Sequence, residues 1–146
     1  MTDDAATRLE RGRAMMHSIS PQVGDSMMDS LRAVAPDFEN LLLGFAFADI
    51  WSRPVLPPRE RALIRLGALA ALGAPASATR ANIDSALHIG LTPQEVSEAF
   101  LQTLPYVGFP HVITALETLT RLLETGPLPD PLEPGREEPG RARTAD

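Results

Sequence analysis

Ala86-Leu87-His88-Ile89-Gly90-Leu91-Thr92-Pro93-Gln94-Glu95-Val96 closes one helix and opens the next. Gly90 follows an apolar run and can adopt the left-handed conformation that ends a helix. Thr92 and Glu95 form a capping box, and Pro93 suits the first helical position. A chain that stops one helix and at once starts another predicts helix packed on helix. Upstream, residues 77–87 fit a helix with Ile83, Ala86 and Leu87 inward. Downstream, Val96, Ala99, Phe100, Thr103 and Leu104 recur at helical spacing.

The pattern extends in both directions. Pro110 opens a last helix with Val112, Leu116, Leu119 and Leu123 on one stripe, and Gly126 ends it. Pro57-Pro58 opens a helix that carries Leu63, Ile64, Leu66, Leu69, Ala70 and Leu72. Such a helix, apolar almost all round, belongs in the domain centre or a subunit contact. Phe38, Leu41, Leu42 and Phe45 predict an α-helical stripe that runs out near residues 49–52. Ser20-Pro21 reads as a helix start, with Val23, Met27, Leu31 and Val34 on one face and Pro36 as the stop. About six helices and no sheet are expected, an all-α bundle. The first dozen residues are expected to fray. Residues 127–146 are rich in Pro, Gly and charge, which predicts a disordered tail behind a domain at 1–126.

Composition narrows the function. The chain has 146 residues, enough for one core, and 44% of them are hydrophobic. A net charge of −6 and the lack of a basic stripe argue against nucleic acid as partner. With no cysteine, disulfides and thiol chemistry are excluded. Residues 1–13 carry no apolar signal-peptide core. The apolar run 62–74 is interrupted by Arg65 and is too short to cross a bilayer, so a cytoplasmic protein without membrane contact is expected. His17, His88 and His111 have no metal-ligand spacing. No phosphate loop, nucleophile elbow or dinucleotide fingerprint is present.

Three ordered pieces resemble the carboxymuconolactone decarboxylase family. The first is Trp51-Ser52-Arg53-Pro54-Val55-Leu56 followed by Arg59-Glu60-Arg61-Ala62-Leu63. The second is the run from Ala86 to Val96 quoted above. The third is Gln102, Tyr106, Gly108 and Pro110. The likeness covers residues 12–123. It implies an all-helical fold assembled as a homo-oligomer, a trimer or hexamer, with a pocket at or near subunit contacts. It also implies loss of carbon dioxide from a small lactone acid without metal or organic cofactor. A sister branch resembling alkyl hydroperoxidase D relies on a Cys-x-x-Cys pair, which this chain lacks. The decarboxylases carry Glu-Leu-x-x-His before the Ala-Leu-Asn-Asn-Gly run. Here Ala78 stands at the Glu position and Asn82 at the His position. Asn can donate and accept hydrogen bonds but cannot take a proton at neutral pH.

Chemistry must then come from other groups. His111 follows Pro110 at a helix start, where the helix dipole favours a neutral imidazole able to move a proton. Asn82 could orient a carbonyl, with Ala78 leaving room beside it. The Tyr106 hydroxyl could stabilise an oxyanion. Trp51 could form a pocket wall. Arg53, Arg59, Arg61, Arg65 and Arg80 make the centre of an acidic chain locally cationic. One of them, with Arg80 and Arg53 foremost, could hold a substrate carboxylate. His88 is expected to pair with Asp84 at the surface. Each of these residues also has a plain structural role open to it, in packing, capping or surface ion pairs. Two functions stay open. One is a cofactor-independent enzyme that acts on a small oxygenated acid, lactone or polyketide-like molecule through an enolate-like state, in a biosynthetic setting. The other is a non-catalytic ligand-binding or structural oligomer.

Overall fold

A computed structural model describes residues 4–21, 28–29 and 31–126. The expected tail at 127–146 and the positions Val23 and Met27 lie outside the described residues. The elements in order are α1 (Ala5–Ile19), α2 (Phe38–Asn40) running into a π-helix (Leu41–Trp51), α3 (Pro58–Ala71), α4 (Ala76–His88), α5 (Pro93–Leu101), α6 (Leu104–Val107) and α7 (Phe109–Thr125). Residues 28–29 and 31–32 are helical too. Among the described residues there is no strand, as the all-α expectation requires. No described helix is long and apolar enough to cross a membrane.

The core is made by α3, α4, α5 and α7. Ala62, Leu66 and Ala70 of α3 meet Ile83 and Ala86 of α4. Val96 and Phe100 of α5 and Val112 and Leu119 of α7 complete it. The expected punctuation is in place. Gly90 has φ +96°, and the Thr92 hydroxyl accepts the Glu95 N–H at 3.2 Å. The Glu95 carboxylate accepts the Thr92 N–H at 2.8 Å in return. Arg59 reaches from α3 to the Gly90 carbonyl and to Glu95, tying this turn to the bundle.

The N-terminal layer departs from the expectation. Of the first dozen residues, those from Ala5 onward are helical and not frayed, because α1 begins there and packs along the π-helix. Gly12 is buried in that crossing, where a Cβ would collide with the Leu43 carbonyl. Arg8 pairs with Asp49, and Arg13 with Glu39 at 2.6 Å. The helix expected to start at Ser20 runs through residues 22–27, which lie outside the described residues. Ser20 itself ends α1, and its N–H donates to the Met16 carbonyl at 2.8 Å.

The second helix also differs. Its bonding runs i→i+5, as in the Ser52 N–H to Phe47 carbonyl bond of 3.1 Å. Slower winding rotates the buried face, so Leu43, Gly44 and Ala48 point inward. Phe38, Leu41 and Phe45 of the expected stripe are exposed instead. On α3, Leu63, Ile64 and Leu72 likewise face outward. At the end of α7, Leu123 is half exposed.

Candidate functional site

The π-helix ends at Trp51, a linker follows, and α3 begins at Pro58. A cavity of about 480 Å³ lies between these three pieces. Trp51 and Ile50 come from the end of the π-helix, and Val55 and Leu56 from the linker. Arg61, Ile64 and Arg65 come from α3, and Arg53 from the linker start. Arg61 and Arg65 are four apart on one helix, so they share a face.

Arg65 is the best-fixed of these cations. Its guanidinium carbon lies 4.2 Å from the Trp51 ring centroid, a cation–π contact. Nη2 donates to the Ser85 hydroxyl at 3.1 Å, and that hydroxyl donates to the Ile19 carbonyl at 2.7 Å. One buried serine thus joins α3, α4 and the end of α1. The Arg65 Nε is buried and has no hydrogen-bond acceptor among the described residues. Burial pulls the Arg65 pKa down to about 10, so the group is still charged at neutral pH. Arg53, Arg61 and Arg65 bond no carboxylate among the described residues. Arg8, Arg13, Arg32 and Arg59 each do. In an acidic chain, three cations on one hollow that bond no carboxylate of the described residues make a local positive potential.

The other expected site residues lie elsewhere. Tyr106 projects from α6 with 88% of its surface exposed and borders a second hollow, between α3 and α5. His111 is in the first turn of α7 and lies against Gly73, in a small hollow of about 120 Å³. Asn82 donates from its side-chain amide to the Ala78 carbonyl at 2.8 Å, within its own helix. The backbone acceptor at Ala78 therefore occupies one of the two N–H donors of Asn82. The Arg80 guanidinium is engaged at the end of α7, where it donates to Thr125 Oγ1 at 3.1 Å and the Gly126 carbonyl at 2.9 Å. His88 is exposed at the last turn of α4, and Asp84 is buried. Within one chain, Asn82, Tyr106 and His111 do not converge on one hollow. Trp51 and Arg53 do share one, together with Arg61 and Arg65. Sequence reasoning put the two α3 arginines among several cations without choosing them. The usable signal was Arg65 itself, a charge in the middle of the most apolar helix.

Comparison with known proteins bears on this geometry. The model of the carboxymuconolactone decarboxylase family matches residues 36–121, more than half of the chain. A 4-carboxymuconolactone decarboxylase of Acinetobacter baylyi is 32% identical over 83 residues, which are 57% of this chain and 61% of the relative. The chain thus spans less than two thirds of that relative's length. The matched region contains the whole cavity wall, from Ile50 to Arg65.

Proposed function

The chain belongs to the carboxymuconolactone decarboxylase family, and on that footing we propose that it acts on a small oxygenated acid or lactone held beside Trp51. The observation that carries this reading is the convergence of Arg53, Arg61 and Arg65 on one hollow without a carboxylate of the described chain to neutralise them. A desolvated guanidinium binds an anionic oxygen far more strongly than one in water. Arg65 holds the anionic group, and the Trp51 ring fixes the guanidinium in place. Arg61 adds charge from the same helix face, and Arg53 steers anions from its exposed position.

The proposed chemistry is decarboxylase-like and cofactor-independent. The bond to the departing carboxyl breaks, carbon dioxide leaves, and the electron pair moves onto a neighbouring carbonyl as an enolate. Fixed positive charge stabilises that enolate more than the neutral carbonyl. The residues bordering the cavity include no carboxyl, imidazole or phenol, so the enolate takes its proton from water. Elimination, isomerisation and cyclisation pass through the same kind of state. The bond between Asn82 and Ala78 favours a second reading, a non-catalytic holder of such acids, since among the described residues the position of the family's His donates within its own helix. Exposed Leu63, Tyr106 and Phe109 support assembly into a homo-oligomer, which light scattering would test.

The deciding experiment incubates the chain with 4-carboxymuconolactone and with β-keto acids and measures carbon dioxide. Release from the β-keto monoacids that Arg65→Met abolishes is the expected result. Binding without release, and without deuterium exchange next to the carbonyl, would favour the non-catalytic holder. Absence of binding to any acid would overturn both readings.

A further inference from the structure

We infer that the acid held in the cavity beside Trp51 is an amphipathic monoacid, a molecule with one anionic head and an extended apolar body. This deepens the anion-binding reading above and rests on it. The cavity lining combines charge with hydrocarbon. Arg61 and Arg65 present charge from one face of α3. Ile50 at the end of the π-helix and Val55 and Leu56 in the linker present hydrocarbon. The hydrocarbon is unusually uncovered, with Val55 80%, Ile50 46% and Leu56 39% exposed. Ile64, next to Arg65 in sequence, is 60% exposed and also borders the hollow. Exposed branched side chains gathered round a hollow favour whatever covers them.

Size points the same way. A hollow of about 480 Å³ falls within the range that encloses drug-sized molecules. A compact acid would fill the space near the guanidinium and leave Val55, Leu56 and Ile50 wet. An acid with an extended apolar body covers them. A second charge at the far end of that body would lie against hydrocarbon and lose its hydration. Head and body are therefore discriminated by different side chains, Arg61 and Arg65 for the charge and Ile50, Val55, Leu56 and Ile64 for the hydrocarbon.

Trp51 is the sole tryptophan, and Arg65 lies over its ring, so its fluorescence reports on the cavity. The full chain is titrated at fixed ionic strength with butyrate, hexanoate, octanoate, octanamide and suberate, with calorimetry as a second readout. Each methylene covered is worth roughly a three- to fourfold gain in affinity at most. Octanoate is expected to bind at least tenfold tighter than butyrate, octanamide or suberate. Arg65→Met is expected to weaken octanoate at least tenfold by calorimetry. Arg65→Lys, which keeps the charge, should retain part of the binding. Equal affinity for butyrate and octanoate, or suberate binding as tightly as octanoate, would overturn the amphipathic ligand and leave the anion reading standing. Octanamide binding as tightly as octanoate would overturn the anion reading itself, and with it this inference.

Discussion

Gly12 has no side chain where α1 crosses the π-helix, and the crossing is set by that absence. Alanine there would gain up to about 1 kcal/mol of helix propensity. It would also drive a Cβ into the Leu43 carbonyl, a backbone atom that cannot rotate away. The collision outweighs the propensity, so Gly12→Ala should lower stability by about 2 kcal/mol in a denaturant melt. An unchanged midpoint would mean that α1 does not rest on the π-helix at this point. Arg65 poses the opposite problem. Its folded-state pKa of about 10 is below the ordinary value, so the unfolded chain holds the proton more tightly. Protonation therefore opposes folding at every pH below about 10, by an amount on the order of 3 kcal/mol. The stack on Trp51 offsets about 1–2 kcal/mol of this. Arg65→Met should then leave the melting temperature within a few degrees of the original or raise it, while anion binding is lost. A charge kept at an energetic disadvantage is a sign of function. A large fall in melting temperature would instead make Arg65 a structural residue.

At the scale of elements, legibility followed local chemistry. The turn between α4 and α5 was readable because its signals are adjacent in sequence and each has one dominant use, Gly90 to stop and Thr92 with Glu95 to start. Thr92→Ala should accordingly cost about 1 kcal/mol, visible as a lower denaturant midpoint. If the midpoint did not move, the box would be replaceable by water. The π-helix was not readable. Its residues, Leu41-Leu42-Leu43-Gly44-Phe45-Ala46-Phe47, are apolar at nearly every position, so no period stands out and the common α-helical spacing was assumed. The inward face, Leu43, Gly44 and Ala48, is set by α1 packing on it, which is a tertiary fact. For α1 the difficulty was different. Buried Gly12, Met16 and Ile19 make a thin stripe among Arg8, Arg11 and Arg13, too weak to read without its partner. The site inherits this limit. Trp51 and Arg53 were named because they are unusual residues in a quotable motif. Arg65 joins them only once the π-helix brings Trp51 over α3.

Over the whole molecule, two layers meet at the cavity, and they differ in what holds them. The bundle of α3, α4, α5 and α7 is held by buried hydrocarbon. The N-terminal layer depends more on ion pairs. The Arg32 hydrogen bond lowers the Glu39 pKa, with Arg13 adding to it, and the Arg8 hydrogen bond lowers that of Asp49. A carboxyl with a lowered folded-state pKa stabilises the fold fully above its unfolded value, and the contribution is lost as pH falls through the folded value. The window therefore opens below about pH 4.5 for Glu39 and below about pH 3.8 for Asp49, and it deepens with further acid. Glu95 shares this dependence through the Thr92 backbone and Arg59, but it lies in a turn that the core also secures. Exposed pairs of this kind are individually weak, so the effect is a loosening of one layer ahead of global unfolding. Trp51 is at the boundary, with its ring under Arg65 and its backbone in the π-helix. Acid titration should thus change Trp51 fluorescence at a higher pH than it changes far-ultraviolet helicity. Added salt, which screens exposed pairs, should bring the fluorescence change to a still higher pH. A single coincident transition in both signals, insensitive to salt, would mean that the two layers unfold as one.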